Sequence, residues 1–359
     1  MKKSTKIKDE IHTLAHFGLP IVLNGIAFLL RKIKKYDTQN TAIIADKKYK
    51  HSSKISKALK YIDDHNRMIC DSRLYNTPQS AQEKMDVFKA HCKYIEVEIF
   101  SYCNRKCAFC QNAYIDRHSK NIFMQNDVFC IIIEQLASIN FSNSVCFHRY
   151  NEPLADKIVV ERTRFVREKL PNAVIGANSN GDFATKELLS ELAEAGMNYL
   201  SITRYPPSNK DWECEKEQRK AITEFAEKLG LKYEYIQNDK LKITEFENFD
   251  IEVRASKLAD IVSNRAASVN CKDAPRRKMP CLKPHSALHI NYDGSINPCC
   301  HTRSDVKAHK FMDIGNIREM SIFDAFSSEK YCLLRYMLKD YGDKKIFPCN
   351  VCTEPRIYS

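Results

Sequence analysis

The stretch "YIEVEIFSYCNRKCAFCQN", residues 94–112, begins as an alternating apolar and polar run with a strand's period and ends in three thiols, Cys103, Cys107 and Cys110. A strand that runs into a cysteine-bearing loop sets the register for everything downstream. Strand-like runs recur at "SVCFHRY", "AVIGANSN", "YLSITRY", "KYEYIQ" and "DIEVRA". Helix-like amphipathic runs lie between them at "DVFCIIIEQLASI", "IVVERTRFVREKL", "ATKELLSELAEAG" and "KEQRKAITEFAEKLG". Strands alternating with helices require a parallel sheet covered by helices, hence an α/β fold built as an open or closed β/α barrel. In such barrels the reactive groups sit at the C-terminal ends of the strands, which is where the three-cysteine loop falls.

Working outward, residues 1–93 read as a small α/β unit. It has the strand, Gly25 turn, helix and strand ending at Asp46 of half a dinucleotide-binding fold, without that fold's glycine signature. A docking or scaffold role is the expectation there, ahead of a membrane-interface role for 16–30. Residues 94–268 form the barrel. Beyond 269 the alternation stops: "ALHIN", a turn at Asp293-Gly294 and "SINPC" read as a hairpin, a helical run follows at 321–339, and "PCNVC" lies near the C-terminus.

The 359 residues include 15 cysteines and carry a formal net charge of +12. Clustered, odd-numbered cysteines argue for thiols that hold metal in a reducing cytoplasm rather than for disulfides. The basic runs are short and scattered, so no nucleic-acid partner is expected. No segment is apolar for long enough to span a bilayer, and the first twenty residues have no export signal.

Three cysteines leave one corner of a cubane cluster open, whereas a structural zinc site closes all four positions. From spacing alone, C-x3-C-x2-C is compatible with zinc plus a distant fourth ligand. With Phe109 before its last cysteine, and at a barrel mouth, the motif resembles that of the radical S-adenosylmethionine (AdoMet) superfamily, and the similarity extends over about residues 94–359. "YNEPL" resembles that family's Gly-Glu-Pro element, with Glu152 where the AdoMet amino group is received and Asn151 in place of the usual Gly. "NSNGD" at 178–182 resembles the Thr-Asn-Gly that ends the third strand, which implies a cofactor role for Asn178. "SITRY" lies where the family contacts ribose and carboxylate, which implies Ser201 and Arg204.

The resemblance implies a partial (β/α)6 TIM-like barrel. It also implies a 4Fe-4S cluster on Cys103, Cys107 and Cys110 that binds AdoMet at the open iron, reductive cleavage to methionine and a 5′-deoxyadenosyl radical, and an electron donor such as flavodoxin or ferredoxin.

Cys281, Cys299, Cys349 and Cys352 form a second set. By spacing it suits a zinc ribbon. By order it resembles the SPASM/twitch domains of the same superfamily, in the form with one auxiliary 4Fe-4S cluster; Cys300 is the alternative to Cys299. An auxiliary cluster favours net oxidation, either dehydrogenation of a small polar or sugar-like alcohol, phosphorylated or nucleotide-linked, or modification of a ribosomal peptide. A non-catalytic metal-binding scaffold is the remaining class. Candidates for the hydroxyl proton are His148, Arg149, Tyr150 and Tyr205, near strand ends. The other cysteines read as buried or incidental thiols.

Overall fold

The computed structural model describes residues 69–206, 211–257, 263–270, 275–340 and 345–354. The elements expected within 1–68, including the Gly25 turn and Asp46, lie outside the described residues. Among the described residues the first long helix, α1 (Ala81–His91), is capped by Ser80, whose side chain accepts from Glu83 N, while the Glu83 carboxylate accepts from Gln79 N. It buries Val87 and Phe88.

Ten strands form one sheet in the order β10-β9-β8-β1-β2-β3-β4-β7-β6-β5. The parallel strands β1 (Tyr94–Val97), β2 (Ser144–Cys146), β3 (Val174–Ser179) and β4 (Tyr199–Arg204) alternate with α2 (Asn126–Ser138), α3 (Ile158–Lys169), α4 (Lys186–Glu194) and α5 (Glu215–Lys228). Helix α2 buries Val128, Phe129, Ile132, Ile133 and Leu136, a stripe with helical period, as a barrel's outer layer requires.

After four regular β/α units the order changes. Strand β5 (Tyr233–Gln237) pairs antiparallel with β6 (Lys240–Ile243), and β6 pairs antiparallel with β7 (Asp250–Ala255), which lies parallel beside β4. All of β5 after Tyr233 is exposed, so it is an edge strand and cannot serve as a barrel stave. The sixth parallel stave is β8 (Ala287–Ile290), whose four residues are all buried and which runs parallel to β1 on the side away from β2. One sheet therefore crosses the boundary expected at 268/269. The expected hairpin is present, with β8 antiparallel to β9 (Ser295–Asn297), Gly294 at φ +83° in the turn, and β10 (Gly315–Asn316) beyond. The helical run expected near 321–339 breaks at Ser327–Ser328 into α7 (Ile322–Phe326) and α8 (Glu329–Leu338); the short turn α6 (Lys283–Ser286) precedes β8.

Because side chains alternate along a strand, the register sets Tyr94 and Glu96, Asn178, Thr203, Arg254 and His289 on the inward face. At the closed end, Tyr199 Oη lies 2.7 Å from Cys146 Sγ. A Cβ at Gly176 would collide with the Tyr199 ring, so that ring requires glycine opposite it.

Candidate active site and metal centres

The cysteine loop is fastened from its flanks. Cys103 N donates to Arg117 O and Cys110 N to Cys107 O. The Gln111 amide donates to His301 O (2.9 Å), and the Asn112 amide donates to Tyr150 O (2.7 Å) while accepting from Arg303 Nη1 (2.9 Å). Arg117 pairs with Glu98 and Asp305. Three of these partners, His301, Arg303 and Asp305, come from the C-terminal segment, which therefore helps to shape the loop that the barrel presents.

Cys103, Cys107 and Cys110 are half-buried and line a cavity of about 310 Å³ at the barrel mouth. Burial pushes the Cys103 thiol up to about 12 and Cys107 up to about 11, so without a cation both stay protonated at neutral pH. A metal that ionises them is the chemistry this donor set fits. Among the described residues, no three His, Cys, Asp or Glu side chains converge as a single ion would require, and the three thiols line a chamber instead.

The cavity gathers most of the residues expected from the sequence. Phe109 packs on Tyr205 at 5.0 Å between ring centroids. Glu152 is buried; its Oε1 accepts from Ser179 Oγ (2.5 Å) and Leu154 N (3.1 Å), and its Oε2 from Asn180 N (2.7 Å). Burial outweighs those bonds and raises its carboxyl to about 7. Asn178 bonds His148 through both backbone and side chain.

His148 Nε2 lies 2.8 Å from Tyr94 Oη and 3.6 Å from Glu96 Oε1; Glu96 Oε2 lies 2.6 Å from His289 Nδ1. Burial keeps His148 neutral. It would also raise Glu96, but His289 and His148 outweigh it and hold that carboxyl below its ordinary value. The tyrosines expected as bases are poor ones: burial pushes Tyr205 up to about 12 and Tyr150 higher still, and the Tyr150 hydroxyl is occupied donating to Cys300 O.

Two expected residues fall outside this lining. Ser201 stands opposite Asn178 in register but does not reach the cavity wall. Arg204, on the opposite face of β4 from Thr203, turns toward α5: it lies over Phe225, donates to Asn180 O and pairs with Asp182. Asp182 also takes both Arg105 nitrogens, at 2.6 and 2.7 Å. Asn180, Arg105, Arg254 and Arg265 are lining residues that the sequence reading did not select. Asn180 was accessible to it, because Ser179-Asn180-Gly181 matches Thr-Asn-Gly more closely than Asn178 does.

Cys281, Cys299, Cys349 and Cys352 line a separate small cavity, closed by Met312, Leu334 and Leu338 and by Arg277, Lys283, Lys345 and His301. Burial raises Cys349 strongly and Cys352 to about 11. Four thiols in a closed, cation-lined chamber fit a fully ligated metal group. The adjacent Cys299 and Cys300 touch through their thiols yet line different cavities: Cys299 lines this chamber, Cys300 lines the barrel-mouth cavity, and Lys283 lines both.

The family model for the radical SAM superfamily matches residues 97–205, and that for SPASM, an iron-sulfur cluster-binding domain, matches 281–353. The chain is 26% identical over 259 residues to an S-adenosyl-L-methionine-dependent 2-deoxy-scyllo-inosamine dehydrogenase of Niallia circulans, covering 72% of this chain and 91% of that protein. It is 21% identical to a tungsten-containing aldehyde ferredoxin oxidoreductase cofactor-modifying protein of Pyrococcus furiosus, covering 73% and 87%. Among solved structures, BtrN in complex with AdoMet and 2-DOIA superposes with a TM-score of 0.54 at 25% identity, covering 73% of this chain and 93% of that one. Among the described residues no helix is long and apolar enough to cross a membrane.

Proposed function

The chain being a member of the radical SAM superfamily with an SPASM iron-sulfur domain toward its C-terminal end, we propose that it is an AdoMet-dependent dehydrogenase that oxidises a small polyol or sugar-like alcohol to a ketone. It works in the cytoplasm with electrons from a flavodoxin- or ferredoxin-type donor. Cys103, Cys107 and Cys110 would hold a 4Fe-4S cluster with one iron left for AdoMet; Cys281, Cys299, Cys349 and Cys352 would hold the auxiliary 4Fe-4S cluster. When bound, these groups supply hydrogen-atom abstraction through reductive AdoMet cleavage, and an acceptor for one electron.

The chain's own residues bind the alcohol, take its hydroxyl proton and exclude water. Glu152, at the "YNEPL" element, receives the AdoMet ammonium. The Phe109–Tyr205 stack walls the cysteine loop from one side. The hydroxyl proton passes to the Glu96–Tyr94–His148 cluster, where the Glu96 carboxylate, kept ionised by His289, accepts it; His148 has its Nδ1 taken by the Asn178 N–H and orients the cluster from its Nε2–H.

The observation that carries this reading is the division between Cys299 and Cys300. The cavity that would hold substrate shares the wall containing this pair, and Lys283, with the four-cysteine chamber. A substrate losing a hydrogen atom on one side thus has an electron acceptor next to it on the other. The reading also draws on the dehydrogenase of Niallia circulans, whose name gives an aminocyclitol as substrate.

The test is anaerobic turnover with AdoMet and dithionite against a panel of deuterated polyols and sugars. One panel member should yield ketone and 5′-deoxyadenosine in equal amounts, with deuterium moved into the nucleoside. Deoxyadenosine formed with deuterium transfer but with a redox-neutral product would contradict the dehydrogenase reading.

A further inference from the structure

We propose that the substrate carries an oxyanion, a phosphate ester, and that Arg149 and Arg254, from separated staves of the barrel, hold it at the mouth. This rests on the reading of that cavity as the place where the alcohol is oxidised.

The wall of the cavity is rich in cations: Arg105, Arg149, Arg254, Arg265 and Lys283 stand against the carboxylates Glu96 and Glu152. Arg105 is cancelled by its two bonds to Asp182. Arg265 faces the cysteine loop, with Nε 3.4 Å from Phe109 O and Nη1 3.3 Å from His301 Nδ1. It is the cation placed to meet the anionic charge of thiolates or of the AdoMet carboxylate. Arg149 and Arg254 remain.

The Arg149 side chain is wholly buried. Its Nη2 donates to Thr302 O (2.8 Å) and Asn297 Oδ1 (3.3 Å), but Nε and Nη1 are buried with no hydrogen-bond partner in the protein. The nearest carboxylate, Glu96, lies 3.5 Å from Nη1 and is already engaged by His289 at 2.6 Å. Leaving charged donors buried and unsatisfied is costly, and a ligand acceptor removes that cost.

Arg254 extends from β7 with Nε on Thr203 Oγ1 (3.1 Å); among the described residues no carboxylate lies within ion-pair distance of it. β7 and β2 are separated by β3 and β4, so the two guanidinium groups come from separated staves of the arc. Planar forks of this kind suit phosphate and carboxylate oxygens. A phosphate on a non-reacting carbon would bring binding energy to the orientation of the carbon that loses hydrogen.

The experiment uses anaerobic holoprotein saturated with AdoMet and without reductant, so that AdoMet stays intact. Inorganic phosphate, myo-inositol 1-phosphate, glucuronate and myo-inositol are titrated by calorimetry. Phosphate and the phosphate ester should bind saturably, the ester at least tenfold more tightly than myo-inositol. Arg149→Gln and Arg254→Gln should each weaken that binding tenfold or more, with Arg254→Lys intermediate and circular dichroism unchanged. Glucuronate binding equal to the ester would keep the oxyanion and assign it to a carboxylate. Phosphate binding that vanishes as AdoMet saturates would show that the arginines serve the AdoMet carboxylate, and would overturn the proposal. So would equal affinity for ester and myo-inositol. If dithionite then yields 5′-deoxyadenosine although no oxyanion binds, only this inference falls; if no deoxyadenosine forms at all, the enzymatic reading fails separately.

Discussion

The two cysteine sets are held in opposite ways. Cys103, Cys107 and Cys110 sit within eight consecutive residues at the end of one strand, half-buried, on a loop whose shape is fixed by Gln111, Asn112 and Arg117 reaching toward residues 301–305. Cys281, Cys299, Cys349 and Cys352 come from three separated segments, and Cys281 and Cys349 pack against Met312, Leu334 and Leu338. A local set on a loop can exchange a ligand position with a cofactor while the barrel stays intact. A set that ties distant segments contributes folding energy as well as chemistry.

The largest expected effect comes from emptying the local set. Replacing Cys103, Cys107 and Cys110 together by Ala should abolish 5′-deoxyadenosine formation, lower the iron content from about eight to about four per chain, and leave circular dichroism near wild type. Deoxyadenosine still formed under dithionite would break the comparison at its first term.

Removing two ligands of the distant set, Cys349→Ala with Cys352→Ala, should leave AdoMet cleavage intact and lower ketone relative to deoxyadenosine. A melting temperature lowered in parallel would measure how much folding energy that site contributes. A folded variant that keeps its first cluster and the equal ratio of products would remove the electron-acceptor role.

Glu152→Gln should act on AdoMet and spare iron. A carboxylate that pairs with a bound ammonium contributes about 1.5–3 kcal/mol, so anaerobic titration should show AdoMet affinity lower by roughly ten- to a hundredfold at that energy. Unchanged affinity would make Glu152 a structural acceptor for Ser179 and Asn180 only.

The smallest effect concerns Asp182, which fastens Arg105 of the cysteine loop and Arg204 of β4. Burial alone would raise its carboxyl, but bonds from Arg105 and Asn104 and the Arg204 charge outweigh it and bring it to about 2. A depressed carboxyl stabilises the fold above its unfolded value near 3.9 and loses that contribution as pH falls toward 2. For a half-exposed group screened by solvent the amount is about 1 kcal/mol. Acid titration of Asp182→Asn should therefore show a flatter loss of stability between about pH 4 and 2.

What was legible in the sequence is what repeats. The β/α alternation and the C-x3-C-x2-C loop follow from periodicity and spacing that a chain displays locally, whereas Glu152 is implied by the resemblance of "YNEPL" to the family's Gly-Glu-Pro element. The sixth stave was not legible, because "ALHI" is a four-residue apolar run whose hairpin partner is adjacent in sequence while its other partner, β1, lies some 190 residues earlier. Strand β5 was legible as a strand in "KYEYIQ", but its place at the sheet's edge was not, because its solvent-facing side chains become visible only when its neighbours are known. Arg204 was read from its place at a strand end, yet the period of two turns it away from the cavity that Thr203 and Tyr205 line. Arg265 lies at φ +47° in an irregular segment with no periodicity to announce it.

Cys299 and Cys300 carry the comparison in its sharpest form, since neighbours in sequence face the two different cavities. Iron determination on Cys299→Ser and Cys300→Ser, purified side by side without oxygen, tests this most directly. The account predicts about four irons for Cys299→Ser and about eight for Cys300→Ser, with AdoMet cleavage retained in both. The reverse assignment, or equal loss of iron from the two variants, would contradict the division between a ligand and a substrate-facing thiol on which the proposed function stands.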